Sequence, residues 1–97
     1  VQAMTVYISG PITDVPDYKE KFGLIEASLK LEGYETVNPS NVNLGENATW
    51  EEYMRHDIKL LCDCDAVFMM KGWQRSKGAR VENYIAKKLG LLVINER

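Results

Sequence analysis

Histidine occurs once in these 97 residues, cysteine twice and proline three times. The two thiols, Cys62 and Cys64, stand one residue apart, a poor arrangement for a disulfide between them. A metal site takes three or four ligands, and His56 does not obviously complete one with this Cys-x-Cys. The expectation is reduced thiols and no metal. Long apolar runs are missing as well. The longest are Ala66 to Met70 and Leu91 to Ile94, with Leu89 just before the latter, far short of the roughly 20 residues of a membrane helix. No basic stretch leads into an apolar segment at the start, so secretion is not expected and a cytoplasmic location is. Val1-Gln2-Ala3 before Met4 reads as a cloning remnant, with residues 4–97 as a single domain. Charge of one sign is scarce overall: the net charge of −2 argues against stable binding to nucleic acid. A chain of this length builds one core, so any active site lies on one small sheet or between subunits.

The charge present is unevenly placed. Residues 1–70 carry 5 basic and 12 acidic side chains, and residues 71–97 carry 7 and 2. Lys71, Arg75, Lys77 and Arg80 fall within ten residues, which reads either as an attractor for a small anion or as a solvated face.

Strand and helix signals alternate along the chain. Thr5 to Ser9 is a β-rich run stopped by Gly10-Pro11. A helix opens at Pro16-Asp17, places Phe22, Ile25 and Leu29, with Leu24 and Leu31 as further candidates, at helical spacing, and ends at Gly33. Tyr34 to Val37 is a second strand, and residues 40–48 are a polar loop. Thr49 and Glu52 have capping-box spacing, so a helix starts near Trp50 with Tyr53, Met54, Ile58 and Leu61 on its apolar side. Ala66 to Met70 reads as a strand buried on both faces. Ser76 caps a last helix that Gly90 terminates, and Leu91 to Ile94 is a final buried strand. Four strands alternating with three helices predict an α/β fold: a small doubly wound, Rossmann-like three-layer sandwich with a parallel sheet in the order 2-1-3-4. In that order the switch point lies between the first and third strands, and ligands bind beyond the strand ends there. Those ends are Ser9-Gly10-Pro11 and Lys71-Gly72-Trp73.

Two carboxylates break the helical pattern. Glu82 has Gly78, Ala79, Ile85 and Ala86 at −4, −3, +3 and +4. Asp57 has Tyr53, Met54, Leu60 and Leu61 at the same offsets. A carboxylate among apolar neighbours is either a site residue or half of a structural ion pair. Two of them, flanking the third strand near a predicted crevice, suit glycosidic chemistry. His56 adjoins Asp57, but a helix turns about 100° per residue, so it is expected to point away and receives no catalytic role. Tyr18, Tyr34, Tyr53 and Tyr84 read as packing or surface residues, and Trp50 as a helix-start anchor.

Tyr7-Ile8-Ser9-Gly10-Pro11 at the first strand end, Asp57-x7-Asp65 before the third strand, and Ser76-x-Gly78-x-x-x-Glu82 at the last helix together resemble the nucleoside 2-deoxyribosyltransferase-like superfamily. The likeness is greatest to its small members, the deoxynucleoside-monophosphate N-glycosidases and an uncharacterised bacterial and phage group. It runs from Tyr7 to Ile94. It implies Glu82 as the nucleophile on the sugar, Asp57 as the residue that positions the sugar or moves a proton at the base, and Tyr7 as support for the nucleophile. It implies Gly10 in the sugar pocket and Ser76 with Gly78 at the 5′ end of the nucleotide. Ser9, Pro11, Gly72 and Trp73 are the neighbouring binding candidates, with Trp73 placed either on a base or in a subunit interface. Serine at a helix N-terminus suits a phosphate. The resemblance further implies no cofactor, a small-molecule nucleoside or nucleotide as ligand, and a homodimer or higher assembly. The stretch Pro11-Ile12-Thr13-Asp14 lacks the arginine usual in the monophosphate hydrolases. That departure supports an alternative, a non-catalytic nucleotide-binding module of the same fold.

Overall fold

The computed structural model describes residues 3–97, so the expectation for the first three residues falls almost wholly outside it. Its elements alternate as the sequence predicts: β1 (Thr5–Ser9), α1 (Tyr18–Leu31), β2 (Glu35–Val37), α2 (Trp50–Cys62), β3 (Ala66–Met69), α3 (Lys77–Lys88) and β4 (Leu92–Asn95). Short 3-10 turns at Pro39–Asn41 and Trp73–Arg75 follow β2 and β3. All strand pairs are parallel and the order is β2-β1-β3-β4.

The strand period of two builds the layers. On one face Val6, Ile8 and Ala66 pack with Phe22 and Leu29 of α1. On the other, Tyr7, Val67 and Met69 pack with Leu61 of α2 and Ala79 and Ala86 of α3. The result is a three-layer α/β/α sandwich. Helix α2 starts in the capping box the sequence announces: the Glu52 amide donates to the Thr49 hydroxyl, and the Glu52 carboxylate reaches back to the Thr49 amide.

Two expectations need correction. Leu24 and Leu31 are 70% and 89% exposed, outside the stripe that Phe22 and Leu29 bury. Strand β4 is not buried on both faces: Leu92 is half exposed and Asn95 exposed. It forms the sheet edge, with a neighbour on one side only.

Candidate functional site

Each helix returns antiparallel to the parallel strands it connects. The first turns of α2 and α3 therefore rise beside the carboxyl ends of β1 and β3. A cleft of ≈ 1170 Å³ opens there, between Gly10-Pro11 and the start of α3.

At its base, Tyr7 and Ser9 stand two residues apart on β1 and so project from the same face. Both hydroxyls donate to Glu82, Tyr7 Oη to Oε2 at 2.5 Å and Ser9 Oγ to Oε1 at 2.7 Å. Each carboxylate oxygen thus has its own donor, and the side chain is fixed in position and rotation. Glu82 is 6% exposed. Burial pushes its pKa up to about 7; the two hydroxyl donors oppose the rise, and the charge of Asp57 adds to it. Burial likewise pushes the Tyr7 phenol far above its usual range, helped by the charges of Glu82 and Asp57. Tyr7 is therefore a neutral donor at every working pH.

Asp57 enters the same cleft from α2. Burial raises its carboxyl above the ordinary range, and a contact with His56 opposes that. The His56 contact corrects the expectation that the ring points away. His56 Nδ1 lies 3.3 Å from Asp57 Oδ1. A 100° step separates Cβ directions, but a ring on a half-exposed rotamer can swing back across it.

Gly10 and Pro11 line the cleft beside β1, and Ser76 and Gly78 line it beside α3. A side chain at Gly10 would meet Met70, with Cβ and Sδ both at 2.8 Å. Ser76 is the N-cap of α3, its hydroxyl accepting from the Ala79 amide at 3.2 Å. The amides of the following turn have no carbonyl to pair with inside the helix. Lys77 lies over the Trp50 ring, 4.1 Å from its centroid, and Lys71 and Arg75 also border the cleft.

Two binding candidates are placed elsewhere. Gly72 and Trp73 are absent from the cleft lining. Gly72 has φ +86 and turns the chain after β3, with the Arg75 guanidinium folded over it. Trp73 packs against the core cluster around Tyr7 and Leu61. Conversely, Trp50, Tyr53 and Tyr18 line the cleft, where the sequence suggested only packing or anchoring. Tyr53 Oη accepts from the Leu44 amide at 3.1 Å and so pins the polar loop to the rim. The sequence holds part of the signal: Trp50, Tyr53, Met54 and Asp57 share one face of α2 at i, i+3, i+4 and i+7, which gives the face but not where it leaves the core.

Among the described residues no three His, Cys, Asp or Glu side chains gather as metal ligands, and Cys62 and Cys64 are free thiols, one exposed and one buried. No helix among those residues is long and apolar enough to cross a membrane.

Fold and cleft together define a doubly wound α/β domain with a buried, hydroxyl-clamped carboxylate at its switch point. The chain belongs to the family described as Domain of unknown function (DUF4406), whose model matches residues 4–95. No curated protein matches it. Among solved structures it is similar to a conserved protein from Enterococcus faecalis V583, with TM-score 0.77 and 18% identity over 97% of this chain and 63% of that one. It is also similar to a 2-desoxiribosyltransferase from Leishmania mexicana, with TM-score 0.73 and 21% identity over 95% of this chain and 63% of that one. The chain thus spans 63% of the length of both structures. These likenesses establish the shared fold, the one implied by the deoxyribosyltransferase-like motifs.

Proposed function

We propose that this domain cleaves or transfers at the N-glycosidic bond of a 2′-deoxynucleoside or nucleoside 5′-monophosphate, with Glu82 as nucleophile. The observation that carries the reading is the double hydroxyl clamp on a buried carboxylate that faces a cleft. A structural carboxylate of this burial normally has a cationic partner; Glu82 has two neutral donors and a second carboxylate nearby. The shared fold with a protein named a 2-desoxiribosyltransferase supports the same reaction class.

The ionised Glu82 attacks the anomeric carbon as the C–N bond breaks. The departing base keeps the electron pair and takes a proton from Asp57, whose burial favours the protonated form. A glycosyl ester on Glu82 remains. Water releases it as free sugar, or a second base takes the sugar. Tyr7 and Ser9 hold Glu82 in line and lower its pKa against the effect of burial. Gly10 and Pro11 floor the sugar site, and the first turn of α3 after Ser76 receives the 5′ phosphate, near Lys77 and Arg75. Gly72 and Trp73 act at one remove, by shaping the turn that carries Arg75.

The test incubates wild type and Glu82→Gln with deoxynucleosides and their 5′-monophosphates, with and without an added base, and follows free or exchanged base by chromatography. The expected result is base release by wild type, reduced by about a thousandfold or more in the variant, with nucleotide binding retained. Binding with no release from any substrate would replace this proposal with the binding-module reading, which the missing arginine at residues 11–14 favours.

A further inference from the structure

We propose that His56 is a positioning residue for Asp57: its ring Nδ1–H donates to Asp57 Oδ1 and holds the other carboxyl oxygen toward the cleft. The inference rests on the proposed function for the part Asp57 plays, but the contact itself can be tested without turnover.

The geometry has three parts. His56 Nδ1 and Asp57 Oδ1 are 3.3 Å apart. The His56 side chain is 39% exposed and that of Asp57 13%, so the pair reaches from solvent into the cleft wall. Asp57 Oδ2 has no hydrogen-bond partner among the described residues, whereas both oxygens of Glu82 are taken. An acid that protonates a departing base needs one oxygen free and the carboxyl plane fixed; His56 supplies the fixing. The groups that face Asp57 across the cleft are Tyr7 from β1 and Glu82 from α3, and Asp14, Lys21, Lys71, Arg75, Lys77 and Glu96 also line it. None of these hydrogen-bonds the carboxylate among the described residues, so His56 alone restrains it.

Removing the imidazole also removes the contact that opposes the effect of burial on Asp57. Asp57 then keeps its proton to higher pH. Where activity depends on protonated Asp57, the falling alkaline limb of the pH profile moves upward.

His56 is the only histidine of the chain, so its nitrogen resonances need no assignment. The first arm records long-range 15N–1H spectra of wild type and Asp57→Ala at a pH where the ring is neutral. The expected wild-type tautomer carries the proton on Nδ1, and Asp57→Ala is expected to move it to Nε2. A wild-type ring protonated on Nε2, or one unchanged by Asp57→Ala, overturns the proposal whatever the protein catalyses. The second arm compares His56→Asn, whose amide nitrogen falls near the Nδ1 position, with His56→Gln, whose amide falls near Nε2, and with His56→Ala. Thermal melts verify folding. Expected are near wild-type kcat for His56→Asn, and about a tenfold fall in kcat with little change in KM for the other two, with the alkaline limb shifted upward. Equal losses in all three variants, or an unmoved limb, overturn it. If wild type itself releases no base, the proposed function fails, and the tautomer alone decides whether His56 holds Asp57.

Discussion

The buried carboxylate should make this protein less stable as pH rises from about 4.5 to about 7, and Glu82→Gln should remove that share of the trend. Glu82 holds its proton to about pH 7 in the fold and would lose it at 4.5 in the unfolded chain. Below 4.5 both states are protonated and the group is neutral in its effect. Between 4.5 and about 7 the unfolded state alone gives up its proton, so it binds fewer protons than the native state. Stability then falls with pH, and the loss is complete once the native carboxyl ionises too. The gap of about 2.5 pK units, at about 1.36 kcal/mol each, comes to roughly 3 kcal/mol. Glutamine has nearly the same shape, stays neutral, and can keep hydrogen bonds to Tyr7 and Ser9 because hydroxyls rotate to donate or accept. The assay is urea denaturation of both proteins at pH 5, 6, 7 and 8. At pH 5 the two should agree within about 1 kcal/mol; at pH 8 the variant should be more stable by roughly 3 kcal/mol. Surface titrations cancel in the difference. A variant that is less stable at pH 8 than wild type, or a difference that does not change with pH, would refute the claim that burial strains this carboxylate. It would also remove the physical basis for its reactivity.

The glycines at the cleft should separate by what lies opposite them. Gly10→Ala places Cβ 2.8 Å from Cβ of Met70, which cannot swing aside, so a loss of about 1–3 kcal/mol is expected in urea denaturation. Gly78→Ala meets the flexible Met54 Sδ at 3.1 Å and gains helix propensity, so stability should stay within about 1 kcal/mol, while nucleotide affinity, read by titration, falls because the methyl intrudes on the first turn of α3. Thr49→Ala removes the capping box of α2 and should cost about 0.5–2 kcal/mol of stability; the pH profile of any turnover should be unchanged, since Thr49 touches no cleft residue of the carboxylate pair.

The strand order was readable because alternating strand and helix signals in so short a chain leave few topologies, and the right-handed crossover rule removes most of those. Glu82 was readable because a charge between Gly78, Ala79, Ile85 and Ala86 contradicts the packing around it. Trp50 and Tyr53 were not, and the reason lies in the direction of α2. Its apolar stripe is one continuous feature in sequence, running from Trp50 to Leu61. In space the helix runs antiparallel to the strands, so Leu61 sits in the core while Trp50, Tyr53 and Met54 pass beyond the strand ends into the cleft wall. Periodicity identifies the face but not how far along it the sheet extends. Asp57 marks where the same face turns from core to cleft. A carboxylate is tolerated there because one side meets the opening, and its position four residues before Leu61 locates the boundary that the aromatics alone could not. The same reasoning accounts for Trp73. After β3 the chain reverses at Gly72, whose positive φ no helical or strand period encodes, and that turn directs the indole back against the core cluster of that face rather than into the cleft lining. Where a stripe keeps its period, sequence places the side chain on a face; where a left-handed glycine intervenes, the face is set by one backbone angle that composition does not record.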